Sequence, residues 1–162
     1  MWIKYSKYLL WIGYIYFSYL LLLITLQYIP YDTDVAFLRI KQEVIVLNHY
    51  KIAFFTHVYT SIFLMIFGAF QFSNYIQRKY IKLHRISGRI YVGILLLLSG
   101  PSGLVMSYYA NGGLLAQVSF LLLSTFWMLF TFLSLYFILK KQVIKHQKFA
   151  IRGFALTLSA IS

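Results

Sequence analysis

Long apolar stretches alternate along this chain with short stretches that are rich in lysine and arginine. A helix crosses the hydrocarbon core of a membrane with about 20 mostly apolar residues. Four stretches reach that length: residues 8–28, 52–76, 90–109 and 114–139. A fifth stretch, residues 153–162, is only the start of a span and is expected to be truncated. The pattern therefore predicts a single all-α domain over residues 1–162, a polytopic transmembrane helix bundle of four full spans plus the start of a fifth.

The charged residues lie between the predicted spans and are distributed unequally. The connections at residues 77–89 and 140–152 carry five bases each, whereas all three acidic residues lie in the connection at residues 29–51. Because basic loops stay in the cytoplasm, these two connections are predicted to be inner loops and the N-terminus to be cytoplasmic. Residues 29–51 then form an outer connection. Its apolar positions predict a short helix over residues 35–47 that lies on the membrane surface.

The composition excludes a soluble domain. Hydrophobic residues make up 61% of the chain and charged residues 11%, against about 45–50% and about 25% in soluble globular proteins. In so apolar a chain the net charge of +12 indicates anionic lipid headgroups at the inner leaflet as partners, rather than nucleic acid. The sequence leaves open whether the chain also binds a partner membrane protein or a second copy of itself. The expected location is the inner (cytoplasmic) membrane.

Two polar side chains, His57 and Gln71, interrupt the second predicted span and share one helix face with Ser61 and Gly68. Polar groups at membrane depth face other helices or a cavity, so His57 and Gln71 form a candidate polar site. The alternative is a packing seam, in which His57 is a neutral imidazole hydrogen-bonded to a backbone carbonyl or a hydroxyl.

His84 and His146 stand where two predicted spans begin, and Gly88 and Gly153 follow them on the same helix faces. Small residues leave a flat hollow beside an imidazole, and two imidazoles from two helices can ligate one haem iron. The histidines are therefore candidate ligands of a single haem b that serves transmembrane electron transfer. The candidate contacts of the haem propionates are Arg85 and Arg89. Alternatively, the histidines contact lipid headgroups and the small residues serve helix packing.

Several motifs of enzymes and coupled transporters are missing from the sequence. No acidic residue lies inside a predicted span, and there is no glycine-rich phosphate loop and no metal-spaced His/Glu motif. These features favour a non-enzymatic membrane subunit. Gly100 and Pro101 predict a bend in the third span, and a cavity at that bend leaves a small carrier as a third hypothesis.

Several short motifs carry a resemblance to a known family. They are Thr56-His57-Val58-Tyr59, Phe67–Phe72, the run Leu83-His84-Arg85-Ile86-Ser87-Gly88-Arg89-Ile90-Tyr91, and Lys145–Arg152. From about residue 50 onward the chain resembles a bacterial family of multi-pass membrane proteins, domain of unknown function 2306. The resemblance implies an inner-membrane protein with no assigned molecular role. It also implies a longer chain, because members of the family generally continue past this end.

A more distant likeness is to transmembrane b-type cytochromes, in which histidines on successive helices pair around haem. It rests on Leu83-His84 with Gly88 and on the placement of His146. The fourth predicted span departs from that pattern because it has no histidine opposite His57. The likeness therefore implies one haem at the inner side and no second haem.

Overall fold

The computed structural model describes the backbone of residues 2–159 and the side chains of residues 8, 9 and 11–159. The regular elements in this range are all helical. They are α1 (Trp2–Leu26), a 3₁₀ turn (Ala36–Lys41), α2 (Gln42–Ile45), α3 (Asn48–Phe72), α4 (Asn74–Lys79), α5 (Ile81–Ile94), a π turn (Leu95–Ser99), α6 (Gly100–Tyr108), α7 (Gly113–Leu139) and α8 (Val143–Ser159). The prediction of an all-α protein is confirmed.

Three of these helices are long and apolar enough to cross a membrane: α3, the continuous helix Ile81–Tyr108 and α7. In α1 the apolar segment Trp11–Leu26 is shorter than these. The count of four spans and part of a fifth, and the cytoplasmic N-terminus, stay predictions. The last three residues of the fifth apolar stretch, 160–162, lie outside the described residues.

The two basic connections are mostly helical rather than open loops. The helix expected to begin at residue 90 begins at Ile81, and the one expected at residue 153 begins at Val143. Hydropathy marks where an apolar run starts, but a helix extends for as long as its backbone hydrogen bonds continue. Lysine and arginine are compatible with the first turns because their side chains reach outward to water. The loop boundaries at 77–89 and 140–152 are corrected accordingly.

The helices pack into one bundle around two buried clusters. Along its length α7 packs against α8 and α6, and α3 packs against α5 and α6, with α1 beside α3. The cluster in the bundle interior consists of Leu64, Tyr91, Leu95 and Trp127. These four residues come from α3, α5, the π turn and α7, and Phe154 and Leu156 of α8 pack against them.

The outer connection folds onto one end of this bundle. Leu38 and Ile45 are buried there against aromatic residues of α3. Nearby, the buried Lys41 donates hydrogen bonds from Nζ to the carbonyl of Tyr109 and to Oδ1 of Asn111. The short helix predicted for residues 35–47 is present as the 3₁₀ turn and α2. Its expected place on the membrane surface is corrected for Leu38 and Ile45, because these two side chains pack against protein.

The helix Ile81–Tyr108, which contains the third predicted span, widens just before Gly100 and Pro101. Residues Leu95–Ser99 form a π turn, in which the N–H of Gly100 donates to the carbonyl of Leu95. Proline has no N–H and its ring crowds the carbonyl one turn earlier, and a π turn accommodates both effects. The widening places the backbone of Ser99 against α3, where its carbonyl accepts a hydrogen bond from the His57 side chain.

Candidate functional site

One end of the bundle carries ten basic side chains, five from each of the two basic connections. All ten are exposed, and we call this set the basic surface: Arg78, Lys79, Lys82, Arg85, Arg89, Lys140, Lys141, Lys145, Lys148 and Arg152. The sequence has no acidic residue after Glu43. The helices that form the basic surface therefore supply no side-chain carboxylate to neutralise it.

Aromatic rings hold several of these cations near the helix ends. The Nζ atom of Lys79 lies 5.4 Å from the ring centre of Tyr75, and that of Lys145 lies 5.2 Å from the ring centre of Phe137. Contacts of this kind are favourable, and more so where water is excluded. Aromatic rings also collect at the level of the lipid headgroups. The rings therefore fix the position of these two cations relative to the helix ends.

His84 and His146 are both partly buried at the end of the bundle that carries the basic surface. Their rings are close enough for their charges to interact. His146 Nδ1 donates to the carbonyl of Ser134 at 2.9 Å, which leaves its Nε2 free to act as an acceptor. The backbone of Phe70 is a hydrogen-bond partner of His84, but Nδ1 of His84 is buried without a partner. The candidate propionate contact Arg85 lies close enough to interact with the same ring, and Arg89 is exposed one turn further along α5.

The hollows expected beside these histidines are filled. A Cβ on Gly88 would lie 2.8 Å from Oε1 of Gln71, and a Cβ on Gly153 would lie 3.2 Å from Oγ1 of Thr131. Both glycines therefore receive a side chain from a neighbouring helix rather than leave room for a porphyrin. The residues present do not fit a haem lying over Gly88 and Gly153. A sequence shows where a helix has small residues, but not which side chain of a neighbouring helix packs against them.

Gln71 belongs to the basic end, not to the surroundings of His57. Its Nε2 donates to the carbonyl of His84 at 3.0 Å and to Oγ of Ser87 at 2.7 Å. His57 and Gln71 are 14 positions apart in α3, which is roughly 21 Å along a helix. The structure therefore separates the two residues of the candidate polar site, although they share a helix face. Gln71 ties α3 to the first turns of α5.

His57 lies in the middle of the bundle. Its Nδ1 donates to the carbonyl of Ser99 at 3.0 Å and lies 3.3 Å from Oγ of Ser102. It borders a partly open cavity together with Leu64 and Trp127. The arrangement agrees with the alternative of an imidazole bonded to a backbone carbonyl.

Two polar groups with structural importance were not identified from the sequence. Thr157 accepts hydrogen bonds from Trp127 Nε1 at 2.9 Å and from the hydroxyl of Tyr91 at 2.8 Å. Ser134 orients His146. A helical-periodicity signal exists for Ser134, because Ser124, Thr131 and Ser134 recur at helical spacing. No comparable signal links Thr157 to its two partners on other helices.

Comparison with known proteins gives a family and no closer relative. The model of the family DUF2306, described as a predicted membrane protein, matches residues 54–162. That segment includes His57, Gln71, His84 and His146 and covers about two thirds of the chain. No curated protein and no solved structure matches the chain.

Proposed function

The chain belongs to DUF2306, a family of predicted membrane proteins, and on that premise we propose that its basic surface binds anionic lipid headgroups. The protein is an integral membrane protein with apolar helices of spanning length. The proposed role is that of a non-enzymatic membrane subunit, held at the inner leaflet of the bacterial cytoplasmic membrane with its N-terminus inside.

The observation that carries this proposal is the charge imbalance of the basic surface. Ten exposed cations lie at one end of the bundle, and no acidic side chain follows Glu43 in the sequence. A basic residue near an anionic leaflet contributes about 1 kcal/mol of attraction. Even a few contacts of this strength select anionic over zwitterionic lipid. The aromatic rings under Lys79 and Lys145 support binding at headgroup depth.

The orientation follows from the same charges. Basic segments stay on the cytoplasmic side during insertion, and the anionic lipids of that leaflet attract them. The connection at residues 29–51, with all three acidic residues, then lies outside. A protein partner for the basic surface would have to supply the carboxylates that this end of the bundle lacks, so lipid is the simpler occupant.

Two matched double variants test the proposal. Lys79→Glu with Lys145→Glu reverses two charges of the basic surface, and Arg39→Glu with Lys51→Glu reverses two at the opposite end. Each protein is purified in mild detergent with equal phosphatidylglycerol and phosphatidylcholine, and the retained lipid is measured by mass spectrometry. In the first variant we expect the ratio of retained phosphatidylglycerol to retained phosphatidylcholine to fall at least tenfold. The second should retain the preference of the unmodified chain.

The proposal fails if the unmodified protein retains both lipids equally, or if both double variants lose the preference to the same degree. His84→Ala provides a further control, because it lies under the basic surface but removes none of its ten charges. It should leave lipid retention unchanged. A protein that copurifies in place of lipid, and is lost with Lys79→Glu and Lys145→Glu, would assign the surface to a partner instead.

Electron transfer through one haem is the second candidate function, and the proximity of His84 to His146 favours it. The filled hollows at Gly88 and Gly153 oppose it, which is why it ranks second. A reduced-minus-oxidised spectrum of protein purified from haem-replete cells tests it. A Soret band that disappears in His84→Ala would support haem binding, and a spectrum without that band would end the hypothesis.

A further inference from the structure

A partly open cavity of about 180 Å³ lies between α1 and the helices beside it. It is bordered by α1, α3, α7 and α8, and most of its surface is contributed by apolar side chains such as Leu21, Ile24 and Leu64. A protein cavity of about 150 Å³ is large enough to bind benzene. The cavity can therefore hold one six-membered ring with a small substituent.

The hydroxyl groups that border the cavity have already donated their protons. Ser61 Oγ donates to the carbonyl of His57 at 2.6 Å. Thr25 Oγ1 donates to the carbonyl of Leu21 at 2.9 Å. Both oxygens keep lone pairs, so towards a ligand each can act only as an acceptor.

The remaining polar groups on the α7 and α8 side are fully used. Thr157 Oγ1 donates to the carbonyl of Gly153 at 3.3 Å and accepts from Trp127 Nε1 and the hydroxyl of Tyr91. The indole N–H of Trp127, which would otherwise be a donor, is thereby occupied. Its ring remains as an aromatic wall of the cavity.

His57 adds a further acceptor. The carbonyl of Ser99 can only accept, so the Nδ1 of His57 at 3.0 Å carries the proton and Nε2 carries a lone pair. The positions near Gly103 are taken by Nδ1 and Cε1 of the ring. Among the described residues Nε2 has no hydrogen-bond partner, so its lone pair is available at the cavity that His57 borders.

From this set of acceptors we propose that the cavity is a binding site for a neutral hydroxylated ring, a phenol or a quinol, whose hydroxyl donates to His57 Nε2. An apolar site with a few fixed polar groups is the usual form of a small-molecule pocket. A cationic donor is disfavoured, because no described residue bordering the cavity is acidic and the chain carries a charge of +12. A lipid-soluble quinol and a water-soluble phenol share the chemistry that the site selects.

A matched pair of ligands tests the proposal on the unmodified protein. Anisole is phenol with a methyl group on the oxygen, so it keeps the ring and the oxygen but cannot donate a hydrogen bond. Equilibrium dialysis of the full chain in detergent measures the dissociation constant of each. We expect phenol to bind at least tenfold more tightly than anisole, because an unmatched acceptor in an apolar site costs about that factor. A third ligand, 4-hexylphenol, identifies the source: a gain over phenol indicates a lipid-soluble quinol, and a loss indicates a water-soluble phenol.

Two variants distinguish phenol that binds in the cavity from phenol that is taken up by the detergent. Ser61→Leu fills the cavity, whereas Ser119→Leu makes the same change on the exposed face of α7. Phenol binding should be lost in the first and kept in the second. Equal binding of phenol and anisole to the unmodified protein would overturn the proposal, as would phenol binding that survives Ser61→Leu in a folded protein. Binding of neither ligand would also overturn it and leave water as the occupant.

Discussion

The widened turn in the third span depends on a glycine, and replacing it tests the packing directly. A Cβ built on Gly100 would lie 2.5 Å from Cγ of Met128 and 2.7 Å from the carbonyl oxygen of Leu95. The methionine side chain can move, but the oxygen belongs to the backbone and accepts the hydrogen bond of the π turn. Gly100→Ala must therefore shift the backbone of the third span.

The size of the effect can be worked from this contact. Inserting a methyl group into a packed interior costs about 1–3 kcal/mol, and a backbone clash places Gly100→Ala near the upper end. Replacing a helical glycine by alanine returns about 1 kcal/mol. The net expectation is a loss of about 2 kcal/mol in the free energy of unfolding. The His57 contact should loosen as well, because its acceptor is the carbonyl of the adjacent Ser99.

Gly93→Ala is the matched control in the same span. A Cβ at Gly93 meets nothing within 4 Å, so only the gain of about 1 kcal/mol applies. The two variants should differ by about 3 kcal/mol, which corresponds to roughly 6–12 °C in melting temperature for a chain of this size. Thermal unfolding in detergent, followed by circular dichroism, measures the difference. Melting temperatures that agree within about 2 °C would refute the packing argument, because a shift of that size corresponds to no more than about 1 kcal/mol.

Two further substitutions test the buried polar contacts. Burial lowers the pKa of Lys41, so charging this amine opposes folding and its contribution to stability rises with pH up to the ordinary lysine value of about 10.4. Lys41→Met should flatten the rise in melting temperature between neutral pH and that value, and an unchanged slope would contradict the assignment. Thr157→Val removes the acceptor of Trp127 Nε1 and of the Tyr91 hydroxyl. It should cost about 2 kcal/mol and change the tryptophan emission, whereas a variant with unchanged melting temperature and emission would show that the network contributes nothing to stability.

The sequence by itself was sufficient for the class of the protein. Apolar stretches such as residues 114–139 exceed what a soluble core can bury, and a helix is the form in which one chain segment satisfies its own backbone in lipid. The basic end also followed from the sequence, because charges cannot enter the hydrocarbon without a large free-energy cost. The membrane class and the position of the charged segments depend on the solvation of each residue by water or lipid. They can therefore be predicted without knowing which residues are in contact.

The interior was decided by the tertiary structure. Gly88 leaves a position on α5 without a side chain. Only the packing of α3 against α5 shows that the Gln71 side chain occupies that space. The apolar side chain of Leu38 is equally compatible with a membrane surface and with a protein core. The tertiary structure places it in a core. The acceptors around His57 come from helices far apart in the sequence. Helical periodicity orients side chains within one helix, whereas contacts between helices depend on their separation, rotation and shape, which no single segment encodes.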